Sequence, residues 1–159
     1  MVRTQISLFG ILLLAMFLET FIVPGLWSTL RVDLLIGMTI GVIIHLSFSQ
    51  GLVFVMVASL VLQPFSGART GFIPMLYLFG FFALDLLKNV IYLENVQTQL
   101  ILAVIFNVIF VEAYVVSLDM SLGQTEIWPL LAGSLLTGVL CPLMVTVVGN
   151  VKKAWYEPS

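Results

Sequence analysis

Between two long apolar runs of this chain lies a polar, turn-rich break, Gln63-Pro64-Phe65-Ser66-Gly67-Ala68-Arg69-Thr70-Gly71. The other breaks are also short, and nearly everything between them is apolar. This alternation limits the fold more than any other feature. A bilayer core about 30 Å thick needs about 20 mostly apolar residues per spanning helix. Charged residues make up 9% of the chain and hydrophobic ones 61%, whereas a soluble domain carries roughly 25% charged residues. So few charges cannot coat a globular surface in water. Lipid tolerates such a surface if every backbone group is satisfied within the chain, as in helices. The sequence therefore predicts an all-α, polytopic transmembrane helical bundle, one integral membrane domain over 1–159 with no soluble domain.

The runs place spans at about 6–23, 34–48, 52–62, 72–87, 99–118 and 128–148. The first ends at the breaker pair Pro24-Gly25. It has no small-x-small cleavage site, and Glu19 with Thr20 lies where one is expected, so it reads as a retained span and not a signal peptide. Residues 34–62 admit two readings: a tight hairpin turning at Ser49-Gln50-Gly51, or one long tilted helix. A single helix there would be about 44 Å long, more than ordinary tilt corrects. The hairpin, and six spans in place of five, is the favoured reading. Pro74 falls in the first turn of its span, where proline is tolerated, and Pro142 interrupts the last.

Six spans put both termini on one side with Arg3, Lys88, Lys152 and Lys153, leaving Arg31 and Arg69 on the other. Positive residues mark the cytoplasmic face, so both termini are expected in the cytoplasm. The loop with Asp119 and Glu126 then lies outside. Trp27, Trp128 and Trp155 sit at span ends, where amphipathic indoles collect.

Several function classes lose ground. No basic block suits nucleic acid. Zinc sites usually want three or four His, Cys or carboxylate ligands; one histidine and one cysteine in different spans make a poor start. No serine has a nucleophile elbow, His45 is the only imidazole, and no glycine-rich phosphate loop occurs. The expectation is a non-catalytic protein with no cofactor. Ionisable groups inside spans are the default functional suspects, since burying them costs about 2.5–3.5 kcal/mol on insertion scales. Glu19, His45, Asp85 and Glu112 qualify. Each also has a structural reading. Glu19 is near a span end, Asp85 is three residues before Lys88 and can pair with it, and His45 is one turn from Ser49-Gln50. Glu112 reads as the deepest, with Asn107 five residues away on a different face.

Small residues form close-approach faces: Gly37 with Gly41, Ser134 with Gly138, and Gly133 with Thr137. This spacing lets helix backbones come together. It serves packing within the bundle or docking of a partner's transmembrane helix.

Three segments together resemble the MreD family, the membrane subunit of the bacterial rod-shape (elongation) complex. Arg31-Val32-Asp33-Leu34-Leu35 is similar to the family's Arg-Pro-Asp start to the second span, with Val32 for proline. In the central break Ser66, Gly67 and Gly71 match, while Gln63 replaces an aspartate. Thr137-Gly138-Val139-Leu140-Cys141-Pro142 looks like the family's Asn-Gly-Val-Leu-x-Pro, with Thr137 for asparagine. The resemblance implies a scaffold acting with MreC, and through it with the actin-like MreB filament, the RodA glycosyltransferase and a class B penicillin-binding transpeptidase in lateral peptidoglycan synthesis and cell shape. The family also looks related to the six-helix substrate-binding subunits of energy-coupling-factor vitamin transporters. That kinship supplies the alternative, a solute-binding subunit with a polar pocket near the midplane that Glu112, Asn107 and His45 would line.

Overall fold

A computed structural model describes residues 2–18, 31–66, 68–118 and 127–156. Glu19, Trp27, Gly67, Asp119 and Glu126 lie outside the described residues, as does the side chain of Trp155. Six α-helices are present among them: α1 (Val2–Phe17), α2 (Leu34–His45), α3 (Phe48–Ser66), α4 (Phe72–Leu87), α5 (Val96–Ser117) and α6 (Ile127–Tyr156). Three are long and apolar enough to cross a membrane, Phe48–Ser66, Val96–Ser117 and Ile127–Ala154. The helical stretches Ile6–Phe17, Leu34–His45 and Phe72–Leu87 are apolar but shorter.

The hairpin reading of 34–62 needs a shift of the turn. The helix breaks at Leu46-Ser47, and Ser49-Gln50-Gly51 forms the first turn of α3. Ser47 and Gln50 explain why. The Ser47 N–H donates to Gln50 Oε1 at 3.5 Å, and the Gly51 N–H donates to the Ser47 carbonyl at 2.9 Å. A Ser-x-x-Gln pattern of this kind opens a helix by answering its orphan donors. At its other end α3 runs on through Gln63 and Pro64 to Ser66, so the polar break begins inside the helix. α6 likewise passes through Pro142 without ending.

α2 has only 12 residues and is buried on every side from Leu34 to Ile43. A helix apolar all round belongs in an interior, and α2 is wrapped by protein. It packs most closely on α6, which packs in turn on α5. Glycine makes both approaches close. A Cβ on Gly37 would lie 3.2 Å from the Cys141 Cα, and one on Gly41 would lie 3.0 Å from the Val145 Cα. Next to that face of α6, a Cβ on Gly138 would meet Val104 Cγ2 on α5 at 2.7 Å and the Leu100 carbonyl oxygen at 3.1 Å. The small-residue faces of Gly37, Gly41 and Gly138 are thus filled by helices of the same chain. Ser134 lies on the same seam, where its Oγ accepts from Asn107 Nδ2 at 3.0 Å. Outward faces carry large apolar side chains, such as Met75 at 74% and Phe79 at 73% exposure on α4. Hydrocarbon solvates such a surface well and water does not.

Candidate functional site

Contacts between helix ends divide the bundle into two polar poles. The first is built on Asp33, the N-cap of α2. Its Oδ1 accepts from the Ile36 N–H at 3.1 Å, which satisfies one of the orphan donors of the first turn. Its Oδ2 accepts from the Tyr77 hydroxyl on α4. Its own N–H donates to Thr137 Oγ1 on α6 at 3.0 Å. Gly133, one turn before Thr137, lets the incoming strand of chain lie on α6; a Cβ there would stand 2.3 Å from the Arg31 carbonyl oxygen. The Arg31 guanidinium lies 4.8 Å from the ring centroid of Tyr114 on α5, and the Tyr114 hydroxyl donates to the Ser66 carbonyl at the end of α3. Five helices are joined by this one set of contacts.

The α3–α4 turn at the same pole is organised by Gln63. Its Nε2 donates to the carbonyls of Ala68 at 3.1 Å and Arg69 at 3.2 Å. Its Oε1 accepts from the N–H groups of Gly71 at 3.2 Å and Ile73 at 3.1 Å. Gly71 caps α4 with φ of +86° and offers no side chain for the task. Only glycine takes up that backbone without cost, so the cap is supplied by Gln63, eight residues before Gly71 and ten before Ile73. An aspartate at 63 has no hydrogen to give the two carbonyls. The substitution of amide for carboxylate therefore brings its own local chemistry. Ser66 adds a further tie, donating from Oγ to the Gln63 carbonyl at 2.8 Å and accepting from the Ala68 N–H at 3.2 Å.

The second pole is open. A cleft of about 350 Å³ lies among the end of α2, the start of α5 and the last turns of α6. Ile44, Pro142 and Val145 form its apolar side; His45, Glu94 and Lys153 are its ionisable groups. Gly149 seats the imidazole: a Cβ there would be 2.9 Å from His45 Nε2. The Tyr92 hydroxyl donates to Glu94 Oε2 at 2.8 Å. Nearby, Lys88 pairs with Asp85 three residues back, the pairing their spacing predicts.

Between the poles the interior is packed. The void beside Thr39, Tyr77 and Phe110 is about 10 Å³, the least that can hold one water. Among the described residues the largest fully buried polar side chain is Asn107, 1% exposed at the middle of α5. Glu112, read from the sequence as the deepest, is half-buried near the Asp33 pole. Asn107, Glu112 and His45 therefore do not form one pocket: His45 lines the cleft at one end, Glu112 lies toward the other, and Asn107 is bonded to Ser134 between them.

The structure brings together the three segments singled out by resemblance. Asp33, Ser66 and Gly71 all lie at the first pole, and Thr137 meets Asp33 there directly. The rest of the third segment lies elsewhere: Gly138 faces Leu100 and Val104 of α5, and Pro142 lines the cleft at the other end. Compared with protein-family models, curated proteins and solved structures, the chain matches none. Two residues that matter at the first pole, Tyr77 and Tyr114, carried no local signal. Their partners lie 44 and 48 positions away in the chain, beyond any helical or turn spacing.

Proposed function

We propose that this chain is a non-catalytic scaffold subunit of the bacterial wall-elongation complex, similar in role to MreD. It would cross the inner membrane six times, with both termini in the cytoplasm. The observation that carries this reading is the meeting of the three MreD-like segments at the Asp33 pole. Segments far apart in sequence, chosen for resemblance alone, are tied there: Asp33 bonds Thr137 directly, and Ser66 is reached through Tyr114, whose ring lies against the Arg31 guanidinium. A clasp of this kind fixes the relative positions of five helices and so presents a constant outer surface to partners. The carboxylate of Asp33 is held by a hydroxyl and a backbone N–H, an arrangement that positions helices.

The partners of this reading are MreC and, through it, MreB, RodA and a class B penicillin-binding transpeptidase. Because the Gly37, Gly41 and Gly138 faces are filled from within, MreC's single span would dock on an outward apolar face. The test is depletion of the protein in its own host, followed by microscopy. Rods that round up, with MreC losing its patchy placement, are expected. Unchanged shape together with growth rescued by a vitamin would overturn the scaffold and favour a transporter subunit.

A further inference from the structure

We propose that the cleft at the His45 pole holds the headgroup of a phospholipid with a primary amine, of the phosphatidylethanolamine type. The inference is independent of the scaffold reading and uses a different region of the molecule. The cleft's volume of about 350 Å³ falls in the range of small-ligand sites, about 300–1,000 Å³. Its position suits a lipid. Counting from Trp128 at the start of α6, about 20 residues, or 30 Å of helix, lead to Val148. The cleft runs from Pro142 to Lys153, and so straddles the level at which α6 leaves hydrocarbon for headgroups.

Its chemistry is mixed in the sense a zwitterion requires. Glu94 supplies one carboxylate and Lys153 one ammonium, and among the described residues neither forms an ion pair with the other or with a third group. Tyr92 occupies Glu94 Oε2, which leaves Oε1 for a ligand's ammonium. Lys153 answers the phosphate as a point charge, the usual role of lysine toward phosphate. His45, held against α6 by the absence of a side chain at Gly149, adds a ring nitrogen at the wall. Ile44 and Val145 continue as an aliphatic surface for the glycerol and first acyl carbons. A purely anionic headgroup would meet Glu94 unfavourably. A choline headgroup has no N–H for Glu94, and among the described residues no Phe, Tyr or Trp lines the cleft to form a cage for it.

The test uses the full-length protein purified in detergent, with bound lipid followed by native mass spectrometry during titration with dioleoyl phosphatidylethanolamine, phosphatidylcholine or phosphatidylglycerol. Wild-type protein is expected to hold the ethanolamine lipid about tenfold more tightly than the choline lipid, the worth of one charged hydrogen bond. Glu94→Gln should abolish that preference, and Lys153→Gln should weaken both lipids alike. Both side chains are exposed, so both variants should fold as wild type does. Lys88→Gln, whose charge is already paired with Asp85, should change nothing. Equal retention of the ethanolamine and choline lipids, or a preference that survives Glu94→Gln, would overturn the proposal. Soluble phosphoethanolamine displacing the lipid at equal concentration would overturn the lipid assignment, since the aliphatic wall would then contribute nothing.

Discussion

The two poles of this bundle end the same helices in opposite ways. At the Asp33 pole, polar side chains reach across between helices, and backbone groups are their main partners. At the His45 pole the charges are more numerous, yet they stand at the rim of a cleft and leave the helices apart. A few fully used hydrogen bonds close a helix bundle more completely than several loosely placed charges do, because each buried donor or acceptor must be answered while a solvated charge need not be.

Glycine sharpens the contrast and gives the largest expected effect. Gly133→Ala drives a methyl to 2.3 Å of the Arg31 carbonyl oxygen, which is backbone and cannot step aside. We expect a loss of about 3 kcal/mol or more, read as a shift of the unfolding midpoint in mixed detergent. Gly149→Ala meets only the far end of the His45 ring at 2.9 Å, and should cost less than about 1 kcal/mol as the ring swings. Equal losses in the two variants would break the comparison.

Gln63→Glu comes next, at about 2 kcal/mol, since two carbonyls lose their donor and face a negative charge instead. Faster proteolysis of the 67–71 turn should accompany it. Tyr77→Phe removes one donor from Asp33 and keeps the ring, edge-on to Phe110 at 4.9 Å between centroids. Interhelical hydrogen bonds in membranes average about 0.6 kcal/mol and reach about 1.7; the carboxylate acceptor places this one toward the upper figure. Smallest is Lys88→Met, which breaks the partly exposed Asp85 pair and should change stability by less than about 1 kcal/mol. If Lys88→Met cost more than Tyr77→Phe, the poles would differ in a sense opposite to the one described.

Most helices were legible because apolar runs report lipid directly: the span expected at 72–87 is α4, residue for residue. Boundaries failed where polar side chains cap helices. Ser49, Gln50 and Gly51 look like a turn by composition but belong to a helix opened by Ser47 and Gln50. Gln63 and Pro64 look like a loop and are helical, because the amide of Gln63 serves backbone groups beyond the helix end. Within the candidate sites, Asp33 was singled out only through a resemblance, and Asp85 with Lys88 was legible as a spaced pair. The Asn107–Ser134 bond was not, since its partners are 27 residues apart on different helices, and nothing local to either residue names the other.

Gln63 bridges no more than ten positions of chain, whereas the bond from Asp33 to Thr137 spans 104. During synthesis, then, the α3–α4 hairpin holds everything needed to tie its own turn as soon as Ile73 has emerged. The clasp at Asp33 must wait until α6 exists. The central helix α2 enters the membrane with its capping carboxylate bonded only to Ile36; Tyr77 on α4 then adds the second bond, and Thr137 on the last helix to be made answers the backbone N–H of Asp33.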